Sequence, residues 1–217
     1  MKRQNSILII AGPSGVGKTV IAEAIRAKNP AFDFIRSATT RQKRGDSHDG
    51  EYLYFTDEEF DRAIANDDIL EYMEYAGAKY GTPRCEVNRA ICEGKIPLLV
   101  LDLVGVRSMA EKQGFSPCSV YVWCDNEIVT ERLYNRYLGA GENEKGRANF
   151  NTRNSRNLSD FAEITDYEPY FFTFVKNDGT VEECRDRIMA IFDDFCNGAQ
   201  RDDALCQAAG KMVNDMI

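Results

Sequence analysis

Residues 12 to 19 read Gly-Pro-Ser-Gly-Val-Gly-Lys-Thr and match the phosphate-loop pattern G-x-x-x-x-G-K-[ST] at every position. In such a loop the glycines let backbone N–H groups turn toward a polyphosphate, and the following helix N-terminus adds positive potential. We expect the Lys18 ammonium to bridge the terminal phosphates and the Thr19 hydroxyl to bind Mg²⁺. Eight residues are therefore predicted to bind a nucleoside triphosphate: Gly12, Pro13, Ser14, Gly15, Val16, Gly17, Lys18 and Thr19.

Asp102 is a second candidate ligand for Mg²⁺. It closes the apolar run that begins at Pro97. In phosphate-loop enzymes a carboxylate at the end of a neighbouring strand reaches the magnesium shell. The same carboxylate could instead cap the next helix near Gly105, and the sequence leaves both roles open.

Basic residues form two groups in a chain that is acidic overall. The first lies within 36–44 beside several hydroxyls, and its Arg41 and Arg44 could clamp a phosphate with fork-shaped donors. The second brackets the Gly- and Glu-rich segment 139–146, where arginines on a closing lid would stabilise a transferring phosphoryl group. Since charge runs are usually solvated faces, we expect two or three of this second group to act. Its members are Arg132, Arg136, Arg147, Arg153 and Arg156.

The elements around these residues indicate an α/β fold. An apolar strand at 7–11 precedes the loop, and 20–28 has helical spacing. Apolar runs at 97–102, 119–123 and 171–175, separated by helical stretches at 126–137 and 149–161, predict a central parallel sheet covered by helices. Short alternating strands between Phe34 and Gly81 predict an inserted lobe with antiparallel pairing, followed by a helix capped by Thr82. This is the three-layer fold of phosphate-loop NTPases with a small mixed or antiparallel lobe and a mobile lid.

Composition excludes several classes of protein. The chain has 217 residues, a net charge of −8 and a pI near 4.9, which disfavours nucleic-acid binding and anionic membranes. Its seven cysteines show no C-x-x-C spacing and its single histidine is His48, so small apolar thiols fit better than zinc ligands or disulfides. The first apolar run is too short for a signal peptide or a membrane span. We therefore expect one cytoplasmic domain without nucleic-acid or membrane partners.

Seven segments or single residues carry a resemblance to a known family: Gly12–Thr19, Ser37–Arg44, Gly50–Tyr52, Glu71, Tyr80–Pro83, Asp102 and Asn177-Asp178. Together they resemble the guanylate kinase family. The resemblance covers about Ile7 to Phe195 and implies ATP-dependent phosphorylation of GMP, and of dGMP, to GDP or dGDP with Mg²⁺ as cofactor. It implies a core (1–35 and 95–200), a GMP-binding lobe (36–94) and a lid (about 138–152).

The resemblance also implies individual roles. The GMP phosphate would be held by Ser37, Arg41, Arg44, Tyr52 and Tyr80, and the guanine would be read by Glu71, Thr82 and Asp102. Asn177 would join the loop in the ATP site, and Thr19 and Asp102 would bind the metal. Catalytic roles fall to Lys18, Arg41, Arg136 and Arg153; Arg147 is a weaker candidate because residues 138–151 fit the family pattern poorly.

A physical argument supports Glu71 as the guanine reader. Guanine presents N1–H and an exocyclic amine as adjacent donors, and a carboxylate is the acceptor-only group that can take both. Adenine presents an acceptor at N1, which would face the carboxylate lone pair to lone pair. Glu71 therefore predicts a preference for guanine.

Other functions and the C-terminal segment stay open at this point. A kinase of the same scaffold acting on a sugar phosphate would be expected to lack Glu71, and a non-catalytic interaction module to lack an intact loop. The segment 202–217 is predicted to be an extra helix with its apolar residues on one face, packed on its own domain or on a partner. The chain could accordingly be a monomer or a homodimer. The residues of that face are Ala204, Leu205, Ala208, Ala209, Met212, Val213, Met216 and Ile217.

Overall fold

The structure, a computed structural model, describes residues 5–43, 52–75 and 77–216. Its core is a five-stranded sheet in which every neighbouring pair is parallel, with the order β2-β7-β1-β8-β9. The central parallel sheet predicted from the apolar runs is confirmed. The strands are β1 (Ser6–Ala11), β2 (Phe32–Phe34), β7 (Ile96–Val100), β8 (Ser116–Trp123) and β9 (Thr173–Lys176).

Both faces of this sheet are buried. In β1, Leu8 and Ile10 point into one apolar cluster while Ile7 and Ile9 point into the other, and all four are fully buried. A strand that is apolar at every position is what two covered faces require. The chain therefore forms three layers, with the sheet in the middle.

Eight helices surround the sheets within the described residues. They are α1 (Lys18–Lys28), α2 (Asp57–Ala65), α3 (Arg84–Cys92), α4 (Leu103–Glu111), α5 (Asn126–Leu138), α6 (Glu144–Tyr167), α7 (Val181–Cys196) and α8 (Asp203–Asn214). α1, α5 and α7 cover one face of the core sheet, and α3, α4, α6 and α8 cover the other.

A second sheet of four strands, in the order β4-β3-β6-β5, forms the inserted lobe. Its strands are β3 (Ser37–Thr39), β4 (Tyr52–Tyr54), β5 (Ile69–Tyr75) and β6 (Ala78–Pro83). The β5–β6 hairpin is confirmed, and of the two predicted alternatives the lobe is the mixed one: β3 pairs antiparallel with β6 but parallel with β4. The connection of residues 40–51 is long enough for a parallel pair, whereas a tight turn would force an antiparallel one.

Two predicted helix starts are wrong. Helix α3 begins at Arg84 with Pro83 as its N-cap, so the Thr82 side chain does not cap it and is free for another bond. Helix α6 begins at Glu144 rather than at Asn149, because the Asn143 side chain caps it by accepting from Gly146 N–H at 2.8 Å. Much of the segment predicted to be the lid is therefore helical.

The C-terminal helix α8 packs on its own domain, against α6 and β9. Its buried side is formed by Cys206, Gly210 and Val213, and a side chain at Gly210 would meet Glu168 Cγ at 3.2 Å. The predicted single apolar face is wrong, because Leu205 and Met212 are 59% and 58% exposed. The glycine and the cysteine, which carry little signal in an apolar pattern, mark the packed side instead.

Deletion of residues 202–217 tests this packing. Because it uncovers apolar surface on α6 and β9, we expect the Tm to fall by about 5–10 °C while the mass in solution stays the same. The measurements are calorimetry and light scattering. A Leu205→Ser, Met212→Ser double variant is the control, and it should shift the Tm by only about 1–2 °C. A change from dimer to monomer on deletion would instead assign the helix to an interface.

Candidate active site

The phosphate loop is held in a backbone conformation that glycine alone adopts readily. Gly12, Gly15 and Gly17 have φ values of 146°, 93° and 100°. A Cβ atom at Gly12 would lie 2.0 Å from the Val122 carbonyl oxygen, so the loop passes directly against β8. The glycines of the motif therefore serve packing as well as phosphate approach.

Lys18 folds back over this loop. Its Nζ donates to the carbonyl oxygens of Gly12 at 2.7 Å and Pro13 at 2.9 Å. Enclosure by the loop lowers the pKa of Lys18 to about 8, and the carboxylate of Asp160 acts in the opposite direction. The ammonium is thus already positioned inside the cradle that a polyphosphate would fill.

Asn177 supports the loop through a hydrogen bond to its backbone. It follows β9, is 6% exposed, and donates from Nδ2 to the Val16 carbonyl oxygen at 2.8 Å. Thr19, in the first turn of α1, is exposed and can reach a bound ligand. The structure therefore brings Asn177 to the loop, where it supports the Val16 backbone, while Thr19 ends the loop with an exposed side chain.

Helix α6 brings four polar side chains to the same place. Arg153 Nη1 lies 3.4 Å from Ser14 Oγ, Arg156 Nη2 donates to Asp102 at 2.7 Å, and Asn157 bonds to the backbone of Ser14. Asp160 lies one turn further, and burial raises the pKa of its carboxyl to about 6. Sequence reasoning assigned no role to Asn157 or Asp160. Their spacing with Arg153 and Arg156 (i, i+3, i+4, i+7) is the signal that could have found them.

Asp102 takes the capping role that the sequence left as an alternative. Its Oδ1 accepts from Gly105 N–H at 2.7 Å, as the N-cap of α4, and its Oδ2 accepts from Arg156. Both oxygens therefore have protein partners. A role for Asp102 in binding metal or guanine stays a prediction.

The other basic residues near the predicted lid lie elsewhere. Arg136 is exposed and stacks on Tyr137, with 5.4 Å between its Cζ and the ring centroid. Arg147 pairs with Glu142, and Arg132 lies 4.0 Å from the sulfur of Cys124. Among the described residues, the contacts of these three arginines are with Tyr137, Glu142 and Cys124 rather than with the phosphate loop.

The lobe assembles an arginine between aromatic rings. The Cζ of Arg41 lies 5.1 Å from the Tyr52 ring centroid and 5.7 Å from that of Tyr54, whose hydroxyl accepts from Arg41 Nη2 at 3.1 Å. Tyr80 packs edge-on to Tyr52 at 6.2 Å, and Ser37 pairs with Tyr52 in the β3–β4 register. Four predicted phosphate-binding residues are thus neighbours, and Tyr54 joins them.

Two other basic residues of the lobe segment have different positions. Arg36 makes a bidentate pair with Glu86 of α3, at 2.9 and 3.0 Å, and so serves the structure of the lobe boundary. Arg44 lies outside the described residues.

Glu71 is a buried carboxylate at the boundary between lobe and core. It is 7% exposed, and its Oε1 accepts from the Thr82 hydroxyl at 2.5 Å. A Cβ at Gly105 would come within 2.9 Å of its Oε2, so Glu71 of the lobe touches the start of α4 in the core. Burial raises the pKa of Glu71 to about 7, with a smaller contribution from Asp102; the Thr82 bond acts in the opposite direction.

This arrangement can bind two phosphorylated ligands. The loop, Lys18 and two arginines form a polyphosphate cradle, and the lobe offers an arginine with hydroxyls and a buried acceptor.

Within residues 5–43, 52–75 and 77–216, no group of three or more His, Cys, Asp or Glu side chains could hold a metal ion by itself. All seven cysteines are free thiols. In the same part of the chain, no helix is both long and apolar enough to span a membrane.

Comparisons with known proteins agree with the geometry. The family model described as guanylate kinase matches residues 4–194. A guanylate kinase from Shouchella clausii is 33% identical over 193 residues, which cover 88% of this chain and 89% of that protein. One from Streptomyces coelicolor is 42% identical over 106 residues, 48% of this chain and 54% of that protein, so the match spans about half the length of that relative.

A solved structure is similar across most of the chain. The guanylate kinase from Anaplasma phagocytophilum aligns with a TM-score of 0.63 at 23% identity, covering 93% of this chain and 91% of that one. This likeness concerns the fold.

Substituting Gly12 tests the close approach of the loop to β8. We expect Gly12→Ala to lower the free energy of unfolding by about 3 kcal/mol or more, because the added methyl overlaps the Val122 carbonyl oxygen. Gly94→Ala is the control: its φ is also positive, at 70°, but nothing lies within 4 Å of the added methyl. It should cost only about 1 kcal/mol of backbone strain. The free energy of unfolding is measured by urea denaturation, and an equal decrease in the Gly12→Ala and Gly94→Ala variants would contradict the packing argument.

Proposed function

This chain belongs to the guanylate kinase family, and we propose that it transfers the γ-phosphoryl group of ATP to GMP, giving GDP and ADP, with dGMP as a second acceptor. The observation that carries the proposal is the pairing of an intact phosphate loop with Glu71, a buried carboxylate facing the start of α4. One site suits the donor, and the other suits a guanine nucleotide.

The donor side of the reaction rests on positioning and charge. Phosphoryl transfer has a loose transition state with charge on the equatorial oxygens, so a protein accelerates it by orienting the reactants and neutralising that charge. Lys18 supplies one positive charge at the loop, and Arg153 and Arg156 approach it from α6. Arg41, held between its tyrosines, would present its guanidinium to the GMP phosphate.

The acceptor base is selected by the environment of Glu71. One oxygen already accepts from Thr82, and the carboxylate is almost fully enclosed. GMP offers two donors to such a group, whereas AMP leaves an acceptor against an acceptor. An unpaired buried polar group costs about 1–3 kcal/mol, and more when charged, so discrimination of roughly 10³-fold is expected.

Mg²⁺ is proposed as the cofactor of the ATP. The described residues fit an ion that keeps most of its shell as water and phosphate oxygens, because Mg²⁺ bound in this way needs only one or two protein oxygens. Thr19 offers an exposed hydroxyl at the loop, while both Asp102 oxygens have partners, so Thr19 would hold the ion and Asp102 would orient Arg156 beside it. When bound, Mg²⁺ neutralises charge that develops between the phosphates.

Location and assembly are part of the same proposal. Seven free thiols, two of them exposed at Cys85 and Cys92, suit a reducing compartment, and we place the enzyme in the cytoplasm. The small-molecule substrates ATP and GMP are its proposed partners. It would act as a monomer or a homodimer.

A coupled ADP-release assay across phosphate acceptors tests the function. GMP and dGMP should be used, while AMP, CMP, UMP and ribose phosphates should react at least about 10³-fold more slowly in kcat/KM. Turnover with a ribose phosphate alone would indicate a sugar-phosphate kinase. Absence of turnover with every acceptor would indicate a binding module.

Lys18→Ala tests where the chemistry occurs. Its ammonium follows the charge that builds between the phosphates, so we expect kcat to fall by about 10²-fold or more. Lys28→Ala, an exposed lysine at the end of the same helix, is the control and should leave kcat unchanged. Near-normal turnover of the Lys18 variant would place the chemistry outside the loop.

Glu71→Gln tests base recognition and its pH dependence. The pKa of Glu71 is about 7, so the acceptor form grows as pH rises from 6 to 8, and KM for GMP should fall by up to roughly tenfold over that range. Glutamine cannot ionise, so KM for GMP in the Glu71→Gln variant should be higher and should no longer fall with pH. The ratio of kcat/KM for GMP to kcat/KM for AMP should become smaller.

The control for this prediction is Glu74→Gln, an exposed carboxylate on the same strand. It should keep the pH dependence and the base preference of the unmodified enzyme. ATP binding should be nearly unchanged in both variants. A GMP-over-AMP ratio that does not move in Glu71→Gln would remove Glu71 as the guanine reader.

A further inference from the structure

The side chain of Asn157, to which the proposed reaction assigns no part, is hydrogen-bonded to the backbone of the phosphate loop. Asn157 of α6 is 1% exposed, and its carboxamide makes two hydrogen bonds to one residue of the loop. Its Oδ1 accepts from the Ser14 N–H at 2.7 Å, and its Nδ2 donates to the Ser14 carbonyl oxygen at 3.0 Å. Reversing the amide would set donor against donor and acceptor against acceptor, so the hydrogen-bond network fixes its orientation.

These two bonds restrain the peptide groups on both sides of Ser14, because the Oδ1 bond holds the N–H of the Pro13–Ser14 peptide and the Nδ2 bond holds the carbonyl of the Ser14–Gly15 peptide. Ser14 is followed by Gly15, whose φ of 93° shows that the chain turns here through a region open mainly to glycine. Rotation of the Ser14–Gly15 peptide plane changes ψ of Ser14 and φ of Gly15, and because glycine has no Cβ it places little steric restriction on that φ. The Nδ2 bond to the Ser14 carbonyl removes that freedom and sets the direction of the Gly15 N–H.

The same helix turn carries the arginines of the site. Arg153 lies one turn before Asn157 and contacts Ser14 Oγ, while Arg156 precedes it directly and pairs with Asp102. Since Asn157 ties this turn to the loop backbone, it holds the helix positions from which both arginine side chains extend at a set distance from the loop.

We propose that Asn157 is a positioning residue for polyphosphate binding. It presets the Ser14–Gly15 peptide for the phosphates and couples helix α6, with Arg153 and Arg156, to the loop. The inference rests on the proposed function, because it concerns the ATP side of that reaction. Asn157 itself touches the loop backbone and is not assigned a contact with substrate.

Two substitutions separate this role from simple packing. Asn157→Leu removes both hydrogen bonds at similar volume, and we expect Kd and KM for ATP to rise about tenfold with KM for GMP changed less than about twofold. Asn157→Asp keeps the acceptor for Ser14 N–H but sets an acceptor against the Ser14 carbonyl and adds negative charge near the phosphates. Its loss of ATP affinity should exceed that of the leucine variant.

The matched control is Asn154→Leu, one turn earlier on the same helix. Asn154 is half-buried, and its Oδ1 accepts from Thr130 at 3.4 Å and not from the loop. Its variant should leave the Kd for ATP unchanged. Amide exchange of Ser14, followed by NMR in the nucleotide-free protein, should accelerate in Asn157→Leu and stay unchanged in Asn154→Leu.

The outcomes are distinct. Equal rises in KM for ATP and GMP, or an unchanged Kd for ATP in a folded Asn157→Leu protein, would overturn the inference and leave Asn157 a packing residue. If the leucine variant does not fold, Asn157→Asp and Asn157→Ser decide by the same ATP-to-GMP comparison. Failure of the unmodified protein to bind ATP or turn over GMP would contradict the proposed function itself, and is recognised before any variant is compared.

Discussion

The parallel direction of the core strands is the constraint on which the site depends. Because all five strands point the same way, the segments that follow them meet at one edge of the sheet. β1 delivers the loop, β7 is followed by Asp102, and β9 is followed by Asn177. β8 supplies the carbonyl of Val122, against which Gly12 packs without room for a side chain. Residues that lie far apart in the chain thereby line one site.

The phosphate-loop site and the boundary between lobe and core hold ionisable groups in surroundings that disfavour their charged forms. Burial lowers the pKa of Lys18 and raises those of Glu71 and Asp160. Such groups lower the free energy of unfolding of the nucleotide-free protein, because neighbouring dipoles compensate only in part for the desolvation of a charge. In the proposed function the phosphates of ATP would pair with Lys18 and the guanine of GMP would pair with Glu71, which would relieve part of this unfavourable electrostatic energy. Ionisable groups with shifted pKa values are common at functional sites.

Local patterns in the sequence were enough to predict the phosphate loop and the parallel core, because each depends on neighbouring residues or on one recognisable motif. The role of Glu71 as guanine reader stays a prediction, although the structure places its carboxylate in a buried position beside Thr82. The parts that escaped prediction depend on distant partners. Arg36 belongs to the basic group of residues 36–44, and only the fold shows that its partner is Glu86, fifty positions later in the chain. Asn157 and Asp160 lie on a helix face whose polar character is that of a solvated surface, and only the fold shows that this face meets the loop. The packed side of α8 is set by Gly210, which an apolar pattern passes over.

Helix α6 joins three parts of the molecule in one rigid rod. Its 24 residues extend about 36 Å. The rod begins beside residues 139–143, holds the phosphate loop near its middle, and carries α8 near its far end. Purified protein that has lost α8 would thus be a poor standard for kinetics, even though its phosphate loop is unchanged in sequence. An affinity tag for enzymology belongs at the other end of the chain, and the integrity of the last helix is worth verifying by mass before rates are compared between preparations.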